Sequence, residues 1–389
     1  MPVTETTFLP FHRAFIEEDD IQSVVRVLRS GWLTTGAETR RFEAAFARYV
    51  GSSNAVAVSS CTAALHLALA AIHLKEGDEV ILPTMTFSST GQVVLYFRAR
   101  PILVDCEPDS FQIDPEAIER AITPRTRAVI PVHFAGSPAR MDAILDIARR
   151  HNLQVIEDAA HAMPARYKGQ WVGTIGDITC FSFYATKTLT TGEGGMITTE
   201  NPEVADRVRM LSLHGISKNA YARYTAEGSW RYEILDVGYK YNMTDMQAAL
   251  GLAQLEKCEL MREKRERIAE RYTDALCSTD AYATPKIPAG IQHAWHLYVI
   301  KVNPDVLTIS RDRVIEELKQ RGIGTSVHFI PLHTHPYYRQ QLGYRVGQFP
   351  CAERHFGGAI SLPLFPGMIN EETDRVIEAL QEIAASYRR

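Results

Sequence analysis

The chain is expected to fold as an α/β protein around a mostly parallel sheet with helices on both faces. Three observations carry this. Short β-branched runs recur at residues 79–82, 101–104, 128–132 and 153–156. Helical stretches such as 115–122 and 141–150 lie between them. Two further apolar runs, 179–183 and 195–199, bracket a polar turn that contains glycine. Strands that alternate with helices are joined by crossovers, which set parallel strands side by side.

Taken in order, residues 16–28 and 38–50 read as helices. A small-residue strand at 55–58 precedes a helix at 62–74, whose apolar residues fall at helical spacing behind the capping types Ser59, Ser60 and Thr62. The strand–helix alternation follows. After Gly251 the pattern changes. A long charged helix is expected from about 244 to 276, then a strand at 296–302, a helix at 310–321, a strand-like run at 324–329 and a last helix at 371–388. The 389 residues are enough for two domains. The expected division is a large domain over 12–255 and a smaller α+β domain over 256–389, with residues 1–11 packed near the smaller one.

Composition excludes several classes. A net charge of −4 and a pI of about 6.4 give no field that would draw nucleic acid or an anionic membrane. An anionic ligand must therefore be held by a local site. Residues 1–10 have neither a basic nor an apolar region, so no signal peptide is expected, and no apolar run approaches 18 residues. Cys61, Cys106, Cys180, Cys258, Cys277 and Cys351 are scattered without a CxxC pair, which fits thiols in a reducing cytoplasm.

In a doubly wound sheet, ligands bind beyond the carboxyl ends of the strands, so chemistry is sought there. The run Val155-Ile156-Glu157-Asp158-Ala159-Ala160-His161 sets Asp158 just past a hydrophobic strand, followed by alanines small enough for a planar ring to lie close. Such an Asp either holds a cationic ring nitrogen or caps the next helix. His161 contacts the same ligand or fills the core. The run Cys180-Phe181-Ser182-Phe183-Tyr184-Ala185-Thr186-Lys187 ends a strand with a hydroxyl and then a lysine. A semi-buried lysine beside a cationic ring loses its proton readily, as a nucleophilic amine must. A strand-end lysine taken alone is more often a surface residue. Gly192, Gly194 and Gly195 let the backbone turn sharply beside a ligand. Ser59-Ser60-Cys61-Thr62 opens a helix, and amides plus hydroxyls there make an anion site or a plain cap. Phe87 either stacks on a ring or belongs to the core. Together these residues match four demands of pyridoxal phosphate: a lysine for the Schiff base, an anion opposite the pyridine nitrogen, donors for the phosphate and a flat surface over the ring.

In this order the runs resemble the DegT/DnrJ/StrS family of pyridoxal-phosphate sugar aminotransferases. The likeness extends over nearly the whole chain, through Ser30-Gly31-Trp32-Leu33-Thr34-Thr35-Gly36, Val58 to Ala64, Pro131-Val132-His133, Val155 to Ala160, Phe181-Ser182-Phe183, Lys187, Thr191-Gly192-Glu193-Gly194-Gly195 and Asn242-Met243-Thr244-Asp245-Met246-Gln247-Ala248-Ala249. The resemblance implies a fold type I aminotransferase, dimeric, with pyridoxal phosphate bound by the large domain and L-glutamate as amino donor. It implies Lys187 as the Schiff-base lysine and Asp158 as the partner of the pyridinium. It puts Thr62, the Cys61 amide and Ser182 on the phosphate and Phe87 on the ring face. His161 stands where the family often has Gln, near the ring hydroxyl. Lys187 also argues against the family's dehydratase branch, which has histidine there.

Three positions depart from the family pattern. Cys61 stands where Gly is common. Lys240, in Gly238-Tyr239-Lys240-Tyr241-Asn242, stands where many relatives have an Asn that reaches the partner's phosphate, so Lys240 or Asn242 takes that place. Glu193 faces either ligand or solvent. Within the family, Phe8-Leu9-Pro10-Phe11, Gly238 to Asn242, His293 to Tyr298 and Gly322 to Phe329 are most similar to enzymes that aminate C4 of a nucleotide-linked 4-keto sugar, in particular the one making UDP-4-amino-4-deoxy-L-arabinose. Trp32, Thr34, Thr35, His328 and His333 are candidates for gripping sugar hydroxyls or diphosphate, since a neutral histidine donates without a permanent charge. Domain-interface packing is the competing reading of the two histidines.

Other classes fit less well. His293, His296, His328, His333 and His335 crowd the C-terminal part, but without HExxH or paired cysteines, so no metal site is expected. A nicotinamide dehydrogenase would need G-x-G-x-x-G between a first strand and helix, and none is present. A C3-specific keto-sugar or keto-inositol aminotransferase of the same family is the nearer alternative. A regulator that binds the cofactor without catalysis would need a DNA-binding module.

Overall fold

The computed structural model describes residues 8–217 and 231–389. Helices α1 (Glu18–Ser30) and α2 (Ala37–Val50) lead into an alternation of β1 (Asn54–Val58), α3 (Cys61–Ala71), β2 (Glu79–Pro83), α4 (Ser88–Leu95), β3 (Arg100–Val104), α5 (Pro115–Ala121), β4 (Thr126–Val129), α6 (Met141–His151) and β5 (Gln154–Asp158). A short pair, β6 (Arg166–Tyr167) and β7 (Gln170–Trp171), precedes β8 (Ile178–Ser182), β9 (Gly195–Thr199) and α7 (Pro202–Ser212). The rest comprises α8 (Asp245–Glu256), α9 (Cys258–Leu276), β10 (Tyr282–Ala283), β11 (Ile291–Gln292), β12 (Tyr298–Val302), α10 (Arg311–Gln320), α11 (Pro336–Leu342), α12 (Pro350–Gly358), β13 (Ala359–Leu362) and α13 (Asn370–Ser386).

The main sheet has seven strands in the order β1-β9-β8-β5-β4-β2-β3. The pairs from β8 to β3 are parallel, and β9 alone runs against its neighbours. β2 and β8 are buried along their whole length, as expected of strands covered on both faces. Local signals set the helix starts. Asp114 caps α5 by accepting from Glu116 N–H, with Pro115 in the first turn; Asn201 does the same for α7 ahead of Pro202. Every residue of α3 except Thr62 is buried, so α3 is a core helix and Thr62 its one outlet.

A second, antiparallel sheet, β10-β12-β13, has a core of its own, including Tyr272, Tyr298, Ile300, Ile360, Phe365 and Leu380. Leu9 belongs to that core and pairs with Ile323, while residues 1–7, which were expected to pack nearby, lie outside the described residues. A third small sheet is β11-β6-β7.

Two expected elements differ. The long helix over 244–276 is two helices, divided at Lys257, where the backbone N–H bonds the i−3 carbonyl of Gln254 (3.2 Å) and ends the first helix. The Lys257 amine reaches across to Asp19 (2.9 Å) and Asp20 (2.6 Å) at the start of α1. The strand-like run at 324–329 makes only an isolated bridge, Ser326 to Ser361, and its last two residues, His328 and Phe329, line the cavity described next. Among the described residues, no helix is long and apolar enough to cross a membrane.

Candidate active site

A cavity of about 360 Å³ opens at the carboxyl ends of β5 and β8 and the start of α3, within the size range of small-molecule sites. It gathers most of the residues expected from sequence: Cys61, Thr62, Phe87, Asp158, His161, Ser182, Lys187 and His328 all line it.

Lys187 follows β8 on a turn whose amide bonds the Tyr184 carbonyl (2.9 Å). Burial pulls its amine down to about 8, with Cys61 and Asp158 pulling weakly the other way. Near neutral pH a usable fraction of the amine is therefore deprotonated. Asp158, the last residue of β5, is buried. It caps no helix. Its Oδ2 accepts the Thr90 hydroxyl (2.8 Å) and its Oδ1 the Ala160 N–H (3.2 Å). Burial raises its carboxyl above the usual range, more than those bonds and the charge of Lys187 offset. A buried acid in that condition is suited to a cation placed against it.

The start of α3 is an anion receptor. Ser60 Oγ accepts from Ala63 N–H (3.1 Å), which leaves the Cys61 and Thr62 amides of the first turn uncapped by that side chain. The hydroxyls of Ser60, Thr62 and Ser182 border the same space. β9 passes so close that a Cβ on Gly195 would lie 2.6 Å from the Ser60 carbonyl, so only glycine fits. Phe87 is 58% exposed, which rules out the core reading; it overhangs the cavity beside Phe329, ring centroids 5.9 Å apart. Opposite lies a wall of imidazoles. Ala135 N–H donates to His161 Nδ1 (3.2 Å), which leaves the proton of a neutral ring on Nε2. Burial, then the Lys187 charge, hold His161 well below the usual histidine range. The same two causes lower His328 to about 4, and its Nδ1 meets Ser361 Oγ at 2.8 Å.

Other expected residues lie elsewhere. His333 is fully buried and does not line the cavity, with Nδ1 on Thr84 Oγ1 (2.8 Å) and Nε2 on Glu353 (2.9 Å), so both ring nitrogens are engaged within the chain. Trp32, Thr34 and Thr35 do not line the cavity. Trp32 Nε1 bonds the Thr35 carbonyl (3.2 Å), and Thr35 Oγ1 donates to the Met243 carbonyl while accepting from Asn242 Nδ2 (2.7 Å). Lys240 Nζ in turn bonds Asn242 Oδ1. These residues form one patch beside the cavity, with Thr34 exposed at its edge. Glu193, left open between ligand and solvent, lines the cavity rim. Sequence reasoning gave no site role to Thr90, Thr86, Phe329 or the cavity face of His296; Thr90 lies inside α4, away from the strand ends where chemistry was sought.

The residues present fit pyridoxal phosphate: a depressed lysine amine, a buried acid short of a cation, a helix-start anion receptor and an aromatic ring converge on one cavity. Comparison with known proteins decides the matter. Residues 14–381 match the DegT/DnrJ/EryC1/StrS aminotransferase family. The chain belongs to this family. It is a pyridoxal-phosphate aminotransferase of fold type I. The chain is 50% identical over 377 residues to the spore coat polysaccharide biosynthesis protein SpsC of Bacillus subtilis, covering 97% of each chain. Among solved structures it is similar to Spr1654 of Streptococcus pneumoniae, described as a sugar aminotransferase and seen in pyridoxal and pyridoxamine phosphate forms. For the pyridoxamine form the TM-score is 0.91 at 33% identity, over 97% of this chain and 98% of that one. It is also similar to Helicobacter pylori PseC, an aminotransferase involved in the biosynthesis of pseudoaminic acid (TM-score 0.90, 26% identity, 98% and 100% covered).

Proposed function

We propose that this aminotransferase moves an amino group from L-glutamate to C4 of a nucleotide-linked 4-keto sugar, as a cytoplasmic homodimer in which each site is completed by the partner chain. Lys187 is its catalytic residue and Asp158, His161, Ser182, Cys61, Thr62 and Phe87 hold the cofactor. The observation that carries the sugar reading is the imidazole wall: His161 and His328 are neutral at physiological pH and present hydrogen-bonding groups rather than fixed charge. Such a wall offers hydrogen-bond donors and acceptors suited to a polyhydroxylated ring. SpsC, named for spore coat polysaccharide biosynthesis, and Spr1654, described as a sugar aminotransferase, support the same class.

Bound pyridoxal phosphate supplies an electron-accepting ring and a carbonyl that exchanges for an amine. The chain supplies the rest. Asp158, pinned by Thr90 and Ala160, keeps a negative charge where the ring nitrogen needs one. The amides and hydroxyls at the start of α3, with Ser182, hold the phosphate and fix the ring's position. Lys187 Nζ takes a proton from the donor's α-carbon and returns it on the same face, which makes the transfer stereospecific. Kinetics are expected to be ping-pong. The test is a panel of UDP- and dTDP-linked keto sugars with glutamate, product regiochemistry being read by NMR. Amination at C4 is expected. Turnover of a 3-keto sugar, a keto-inositol or a free keto acid, with none on any 4-keto nucleotide sugar, would overturn the C4 assignment and leave the aminotransferase intact.

The Lys240–Asn242–Thr35 patch supports the shared site. Its polar tips do not line the cavity of their own chain, and we assign them, with Trp32 and Thr34, to the partner's phosphate and substrate. Replacing Lys240 and Asn242 together with alanine is expected to weaken cofactor binding by about ten-fold or more, the loss of one charge-assisted hydrogen bond. Unchanged affinity, or a monomer fully active at dilution, would contradict it. The division at residues 255 and 256 belongs to the same proposal; the separate core around β10, β12 and β13 supports it.

A further inference from the structure

Asp158 does not stand bare on the cavity floor. Thr90, fully buried in the first turn of α4, sends its hydroxyl to Asp158 Oδ2 at 2.8 Å. The same Thr90 Oγ1 lies 2.8 Å from Thr86 Oγ1. An ionised carboxylate only accepts, and a hydroxyl has one proton to give. Thr90 therefore spends its proton on Asp158, and Thr86 must donate to Thr90. Thr86 lines the cavity and Thr90 does not. A directed chain thus runs from the cavity wall through a buried hydroxyl to the carboxylate.

The other groups around Asp158 cannot replace it. The Ala160 N–H bonds the opposite oxygen, Oδ1 (3.2 Å), and Cys61 Sγ is 4.0 Å from that same oxygen and nearer to the Cys180 carbonyl (3.6 Å). Lys187 and His133 act on the carboxylate through space, and His133 Nε2 is committed to Glu157 (2.8 Å). Among the described residues, Thr90 is the one side chain that gives Asp158 a hydrogen bond of ordinary length.

We propose that the Thr86–Thr90 hydroxyl pair positions Asp158 for the cofactor, and that Thr90 is a positioning residue of this enzyme although it does not line the cavity. Thr90 fixes the plane of the carboxylate and stabilises its ionised form. Thr86 orients Thr90, because a hydroxyl that already accepts one bond cannot easily turn away from its own acceptor. This rests on the assignment of Asp158 to the cofactor's ring nitrogen.

Thr90→Val keeps the shape and removes the proton donor. Three measurements are made on it: titration of apoprotein with pyridoxal phosphate, the visible absorption of the loaded enzyme, and thermal melting of the apoprotein. Cofactor affinity and kcat are expected to fall about ten-fold or more, in keeping with a hydrogen bond to a charged group, with a shifted visible band and an unchanged apoprotein melt. Thr90→Ser should behave as wild type, and Thr86→Val should lie between. A Thr90→Val protein with wild-type affinity and spectrum overturns the proposal. So does a Thr90→Ser protein as impaired as Thr90→Val, since the methyl group would then be what matters. If Thr90→Val does not fold, Thr86→Val decides: wild-type affinity and band there refute the chain. Asp158→Asn separates the two levels. If it is impaired while Thr90→Val is not, only the positioning role falls; if it too is like wild type, the assignment of Asp158 falls as well.

Discussion

Lys187→Ala is expected to lower turnover by about 10⁴-fold, the upper end of what one positioned proton-transferring group contributes, while leaving the apoprotein folded. Both halves follow from where the amine sits. Burial pulls it to about 8 from an ordinary 10.5. Between those values the unfolded chain binds more protons than the folded one, so this group makes stability rise with pH across that window. Below it, the folded protein carries a cation that its surroundings disfavour. Alanine removes that cost. The apo variant should melt no lower than wild type near pH 7 and lack the gain between pH 8 and 10.5. Loaded wild type should show a visible band bleached by borohydride, reporting the covalent link to Lys187, and the variant none. Wild-type turnover by Lys187→Ala would remove this lysine from the chemistry.

The sheet and the cavity floor were legible in sequence because two requirements coincide there. A strand buried on both faces must be an apolar run, and its carboxyl end must then present whatever the ligand needs. Asp158 and Ser182 stand at such ends, and Lys187 one turn beyond. Cys61 and Thr62 open the helix after β1 for the same reason. Residues whose role depends on contacts across the chain were not legible. His328 and His333 lie five residues apart in one segment, yet one lines the cavity and the other is locked between Thr84 and Glu353. Nothing in local pattern separates them. Thr90 carries no site signal in the sequence, because its bond to Asp158 joins residues 68 positions apart. Thr35 was a candidate for gripping substrate, but its side-chain partners, Asn242 and Met243, lie more than 200 residues away. The break at Lys257 is silent because Gln254, Leu255, Glu256 and Lys257 are all good helix formers.

Asp158→Asn is expected to cut turnover by about 10- to 150-fold, the value of a hydrogen bond to a charged group in a buried site. The apoprotein should respond in the opposite sense. Burial raises the Asp158 carboxyl above its ordinary 3.8. Between that value and the raised one, the folded chain binds more protons than the unfolded chain, so stability from this group is lost as pH rises. Without the cofactor, burial disfavours the Asp158 anion more than its bonds to Thr90 and Ala160 and the charge of Lys187 offset. Asparagine has the same shape and no charge. Its amide oxygen can still accept the Ala160 N–H, and the Thr86–Thr90 pair can reverse as a unit, Thr90 donating to Thr86 and accepting from the new amide nitrogen. The apo variant should therefore melt at or above wild type at pH 7, and the difference should vanish in acid, where Asp158 is protonated as well. Turnover and cofactor affinity should fall, because a neutral amide cannot hold the ring nitrogen protonated. This crossed pattern distinguishes a carboxylate kept for the cofactor from one kept for the fold. A structural Asp158 would give the reverse, a lower apoprotein melting temperature with near wild-type turnover in the loaded enzyme, and near wild-type turnover would be enough to remove Asp158 from the cofactor site.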